Sequence, residues 1–215
     1  MKTIIVIVSV ILVSACSSSR ITSSWKAPGT SPRMFNKILV LGLINDKDLG
    51  LRQDMETQMV DDLKSLGYAA VSALDEYGPK TFTGMKEEEA LSKIKNSGVD
   101  AVITVVMLDK SQEKEYVPAH IYYSPYVLYH NHFWGYYTTM RMRIYEPGYY
   151  QENTKYFWES NFYTMDDGKR LIYSVQTRSF NPGSAMSLAH EYGKLIVNNL
   201  QEKGVIVKGN QLALK

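Results

Sequence analysis

The groups able to do chemistry in this 215-residue chain are few and unevenly placed. Cys16 is the only cysteine. A lone thiol cannot close an internal disulfide, so the fold must stand on its core even in an oxidising compartment. Three of the four histidines, His120, His130 and His132, share one segment. On an extended strand residues 130 and 132 project to one face. Two imidazoles there could chelate zinc, copper or nickel, with His120 as a third ligand. Against this, no acidic residue lies within ten positions of the pair, and histidines in an aromatic loop also serve as plain polar groups. They stay candidate ligands, and no metal or other cofactor is assigned.

The same segment, Tyr116 to Tyr150, holds ten of the sixteen tyrosines with Phe133 and Trp134. Tyrosine offers a large rigid contact area with a polar tip at low entropic cost, which suits recognition of glycans, peptides and proteins. Tyr122, Tyr123, Tyr126, Tyr129, Phe133, Trp134, Tyr136 and Tyr137 are the candidate contact residues. The competing reading is a surface loop whose aromatic side chains pack on the domain or on each other. Pro118 and Pro125 argue against a central strand there, and a connection this long is functional or disordered more often than routine.

Recognisable catalytic frameworks are missing from the sequence. Gly42 stands alone after an apolar run, without the glycine pattern or Lys-Ser/Thr pair of a phosphate-binding loop. No Gly-x-Ser-x-Gly elbow occurs. His190-Glu191 falls in a helical stretch as a solvated face. Arg52 and Glu56, four apart, suggest a surface ion pair worth a few tenths of a kcal/mol. Glu87, Glu88 and Glu89 suit the first turn of a helix. The expectation is a protein that is not an enzyme.

The elements that position these groups begin with Met1-Lys2-Thr3 and an apolar run from Ile4 to Val13. That run is about half of the ~20 residues a membrane-spanning helix needs. A basic start, a short apolar stretch and small residues before a break form a signal peptide over 1–15. Val13-Ser14-Ala15-Cys16 resembles the lipobox of bacterial lipoproteins, with Val in place of the usual Leu. The resemblance implies cleavage before Cys16 and acylation of its sulfur and new amino group. Three chains at ~0.8 kcal/mol per buried methylene make a lasting membrane anchor. Within that class Ser17, in place of Asp, implies the outer membrane, and the lack of an acidic cluster points to its periplasmic face.

Cleavage removes Lys2 and leaves 23 basic residues against 22 acidic ones. No basic stretch tracks along the chain, so nucleic acid is not an expected partner. Residues 16–36 are rich in Ser, Thr and Pro and are expected to form a flexible tether, on which Trp25 could dock against the domain.

Residues 37–215 carry the pattern of a single α/β domain. Lys37 to Leu43 is a buried strand, followed by helix caps at Asn45 to Asp48. Leu51, Met55, Met59, Leu63 and Leu66 form a helical stripe closed by Gly67. Tyr68 to Val71 is the next strand. A helix from Met85 to Ser97 stops at Gly98 before the strand Val99 to Leu108. A last helix, capped by Ser184, stops at Gly204 before Val205-Ile206-Val207. Between these units Thr138–Tyr145, Tyr156–Tyr163 and Arg170–Thr177 are β-rich, and Asp166-Asp167-Gly168 suits a hairpin turn. The expected architecture is a mixed β-sheet packed by about three helices, with a Tyr-rich insertion at about 116–137.

Several segments in order resemble a family of uncharacterised bacterial outer-membrane lipoproteins. They are Ser23-Ser24-Trp25-Lys26-Ala27-Pro28-Gly29, Lys37 to Leu43 with Arg52 and Glu56 following, Asp100-Ala101-Val102, Tyr116-Val117-Pro118 and Phe157-Trp158-Glu159-Ser160. The strand and helix order is also similar to the small α/β domain of the TolB N-terminal region and of the lipoproteins that activate peptidoglycan synthases. The resemblance implies an envelope accessory protein and supplies no catalytic residues. It adds Trp25 and Arg52 as candidate binding positions. The function expected is non-catalytic binding of another envelope component, protein or glycan, through the aromatic surface. The alternative is a periplasmic lipoprotein that binds a small molecule or metal through His120, His130 and His132.

Overall fold

Apolar strand runs alternate with amphipathic helices, and the products share one sheet. The computed structural model describes residues 18–80, 82–117, 149–165 and 170–208. The elements are β1 Ser19–Lys26, β2 Ile38–Leu43, α1 Leu49–Ser65, β3 Ala70–Ser72, α2 Ala73–Tyr77, α3 Glu87–Asn96, β4 Ala101–Val117, β5 Tyr149–Thr164, β6 Leu171–Phe180 and α4 Ala185–Glu202. The sheet runs β1-β6-β5-β4-β2-β3. β4, β2 and β3 are parallel, while β4-β5-β6-β1 is antiparallel. The expected mixed α/β domain is therefore the one found, with four α-helices among the described residues instead of about three.

The period of two in β2 decides which helices it meets. Ile38 and Val40 face α1 and α4, which pack on each other over Ile103 and Val105. Leu39 and Val102 face the other way, onto Ala73 of α2 and Ile94 of α3. The stripe of α1 is buried at Leu51, Met55, Met59 and Leu63, as its spacing predicts. Gly67, Gly98 and Gly204 all hold positive φ just past a helix end, the left-handed stop that favours glycine. Ser184 caps α4 by accepting from the Ser187 N–H.

Three expectations change. The Ser/Thr-rich stretch is not a tether throughout, because Ser19–Lys26 forms an edge strand on β6, from Ser19 opposite Ser179 to Lys26 opposite Tyr173. Backbone ladders need no particular side chain, and an edge strand buries one face only. Ser19 is buried with its hydroxyl 2.7 Å from that of Ser179, and Ile21 packs on the core. The domain thus starts well before residue 37. Glu191 is not merely solvated: its Oε2 accepts from the Ser18 N–H at 2.8 Å and hydroxyl at 2.9 Å, tying the start of β1 to α4. Finally, Val205 and Ile206 are buried in the core but join no strand. Their branched side chains fill the space beside Tyr68, whose hydroxyl donates to the Val207 carbonyl.

The α1–α4 seam carries one poorly satisfied carboxylate. Asp62 Oδ2 is buried without a hydrogen-bond partner among the described residues. Gly193 of α4 leaves room for it, since a Cβ there would collide with Oδ2. Burial pushes the Asp62 carboxyl above its ordinary value, against the pull of the Gln58 amide and of nearby His190 and Lys194. A raised folded-state pKa means the native state binds more protons, so stability falls as pH rises from the ordinary carboxylate value through the raised one. Asp62→Asn is expected to gain about 1 kcal/mol near neutral pH and to lose that acid-side dependence. Urea midpoints measured across pH check both.

Candidate functional site

Two features stand out from the fold, a crevice and an arm. The chain leaving β2 turns toward the α1 face, whereas the chain leaving β3 turns through α2 to the opposite face. Connections that part in this way open a crevice beyond the carboxyl ends of parallel strands, where open α/β sheets bind ligands. Here it has a volume of about 670 Å³ and reaches from Leu43 and Asp46 to Pro79, Phe82 and Met107. That is ample for a small ligand.

Arg52 lines it with Glu56 buried behind, and the two correct the surface-pair expectation. Arg52 is only 7% exposed and Glu56 0%. Glu56 Oε1 accepts from the Arg52 Nε–H at 2.9 Å and the Gly42 N–H at 2.8 Å. Oε2 accepts from the Ser72 hydroxyl at 2.6 Å and the Leu74 N–H at 2.8 Å. One carboxylate thus ties together α1, the end of β2 and the turn from β3 into α2. Gly42 makes this possible, because a Cβ there would lie 2.8 Å from both Arg52 Cγ and Glu56 Oε1. The Arg52 guanidinium reaches on to donate from Nη1 to the Pro79 carbonyl at 3.2 Å.

The arm grows from the antiparallel half. β2 stops pairing with β4 at Val106, and β6 pairs with β5 only from Lys155 onward. Beyond that, β4 and β5 pair with each other alone, as far as Val117 opposite Tyr149. At ~3.3 Å per residue the two-stranded ribbon runs about 20 Å past the sheet. Lys155–Glu113 at 2.6 Å and Lys114–Glu152 at 3.0 Å cross-link it, and Asn153 donates to Glu115 at 3.0 Å. Its end is aromatic: Tyr116, Tyr149 and Tyr150 are 54%, 60% and 71% exposed. The Tyr116 and Tyr150 rings, on opposed residues, lie 5.2 Å apart.

Of the sequence-derived site residues, the structure places two. Arg52 lies in the crevice. Trp25 lies on β1 opposite Ser174, half exposed and away from the crevice. Cys16, His120, Tyr122, Tyr123, Tyr126, Tyr129, His130, His132, Phe133, Trp134, Tyr136 and Tyr137 lie outside the described residues, as do 138–145 and the turn at 166–168. Among the described residues no group of three or more His, Cys, Asp or Glu is placed to hold a metal, and no helix is long and apolar enough to cross a membrane. Sequence reasoning missed Glu56 as the organising carboxylate. The one signal for it was the lone Gly42 at a strand end, next to a charged pair on the following helix.

The sequence matches no protein-family model and no curated protein. Among solved structures, the PelC dodecamer from Paraburkholderia phytofirmans is similar at a TM-score of 0.43 and 11% identity, over 85% of this chain and 94% of that one. Lipoprotein GNA1162 from Neisseria meningitidis is similar at a TM-score of 0.43 and 14% identity, over 78% of this chain and 99% of that one. No residue role or partner passes from either to this chain.

Proposed function

We propose that this chain is a lipid-anchored accessory protein of the cell envelope, on the periplasmic face of the outer membrane. It binds another envelope component, protein or glycan, through an aromatic surface and without catalysis. The observation that carries the reading is the arm, which holds three exposed tyrosines at the point where the Tyr-rich segment continues. A second point of geometry agrees. β1 begins opposite Ser179, at the end of the sheet from which the arm leaves. Three residues of chain keep Cys16 within about 11 Å of Ser19. An acylated Cys16 would hold the root of the arm close to the bilayer, so the partner is a component found near the membrane surface.

The test places a photo-crosslinking residue at Gln151, exposed beside the tyrosines, in the full chain in cells. Acyl labelling of the same cells reports the anchor. The parent chain is expected to be labelled and to give a discrete crosslinked product. Combining Tyr116→Ser, Tyr149→Ser and Tyr150→Ser should abolish that product while lowering stability by no more than about 1.5 kcal/mol. An undiminished product in the triple variant would overturn the aromatic-surface reading.

A further inference from the structure

We infer that the crevice beyond β2 binds a small monocarboxylate, its carboxylate held by the free Nη donors of Arg52 and its apolar body against Leu43, Phe82 and Met107. This goes beyond the arm reading and does not depend on it.

A guanidinium carries five N–H donors in a fixed plane and cannot deprotonate. Glu56 occupies the Nε–H and the Pro79 carbonyl one Nη1–H. The remaining Nη donors have no partner among the described residues, although Arg52 is more than nine-tenths buried. These donors are not sealed from solvent, and the space that Arg52 lines, from which an acceptor reaches them, is the crevice. Two contacts already fix the plane of the fork, so little side-chain freedom remains to be lost when an acceptor arrives. Planar two-oxygen acceptors match that fork.

Charge narrows the class. Arg52 is the only cation among the described lining residues, and Glu56 already offsets it. Asp46 also lines the crevice. A phosphate carrying about two charges would meet too little positive potential, whereas one carboxylate would be tolerated. Leu43 is half exposed at the rim, and Phe82 and Met107 give the rest of the ligand an apolar wall.

The probe is phenylacetate, with hexanoate as a second carboxylate and phenylacetamide as the neutral isostere. Saturation-transfer NMR on the full-length chain in detergent reads binding, with detergent alone as the blank. Phenylacetate is expected to bind about tenfold or more tighter than the amide, in line with a charge-assisted pair. Equimolar inorganic phosphate should not displace it. Thr83→Trp fills the mouth from an exposed position and should weaken binding at least about tenfold without moving the urea midpoint. Arg52→Lys keeps the charge, loses the fork and should weaken it too. Absence of transfer to both carboxylates, equal binding of the amide, displacement by phosphate, or full binding by Thr83→Trp would each overturn the inference.

Discussion

Glu56→Ala is expected to lose about 3–5 kcal/mol of folding stability, the range for removing one partner of a buried ion pair. The loss is large because the carboxylate serves four donors at once. Without it the Arg52 charge stays buried and unpaired. The Gly42 and Leu74 N–H groups and the Ser72 hydroxyl lose their acceptor in the same step. Glu56→Gln keeps the shape but turns an NH₂ toward two of those donors, so it should cost about 1–3 kcal/mol. The double variant Arg52→Met with Glu56→Leu removes both charges and should recover part of the loss, since apolar replacements of buried pairs are often tolerated. Urea unfolding with an unchanged slope separates these cases. If Glu56→Ala behaves as a surface substitution, within about 0.5 kcal/mol of the parent, the carboxylate does not organise the crevice.

This site was half legible in the sequence. The spacing of Arg52 and Glu56 showed that they share a helix face, but the same spacing serves exposed ion pairs. Their burial depends on Gly42, 14 residues before Glu56, and on Ser72 and Leu74 arriving from the next crossover. Those contacts are set by how β2, α1 and β3 stack, which local periodicity does not carry. α1, α3 and α4 were legible for a local reason, since each runs into a glycine that stands at positive φ, whereas the five-residue α2 was not. β1 was hidden because its stability comes from backbone pairing and one buried face, while its composition is that of a soluble linker. Val205 and Ile206 were misleading in the opposite sense. Their β-branched side chains satisfy a strand pattern, yet they are buried by packing beside Tyr68 instead of by a ladder. The arm was not legible, since the expected strands stop at Leu108 and begin at Tyr156. Its polar stretch from Asp109 to Glu115 lacks apolar alternation, and cross-strand ion pairs hold it together instead.

Trp158→Ala is expected to cost about 3–5 kcal/mol, the range for truncating a buried tryptophan, and to loosen the arm at its root. Trp158 is fully buried, stacked on Tyr156 at 5.8 Å and tilted against Tyr192 of α4 at 5.5 Å. Opposite it, the register of β4 slips between Met107 and Asp109, which leaves Leu108 half exposed. A bulge of this kind bends and twists the pair of strands, and the arm departs just beyond it. Trp158 therefore packs α4 against the point where the ribbon changes direction. Its Nε1–H has no partner among the described residues, so Trp158→Phe gives up volume but no hydrogen bond. That variant should lose markedly less than Trp158→Ala. Hydrogen exchange reads the second half of the prediction: Trp158→Ala should speed exchange from Asp109 to Val117 and from Tyr149 to Lys155 more than in β2. Uniform acceleration across the sheet would mean that Trp158 supports the core as a whole and not the arm. Faster exchange confined to the ribbon would link the packing under α4 to how firmly the exposed tyrosines are presented.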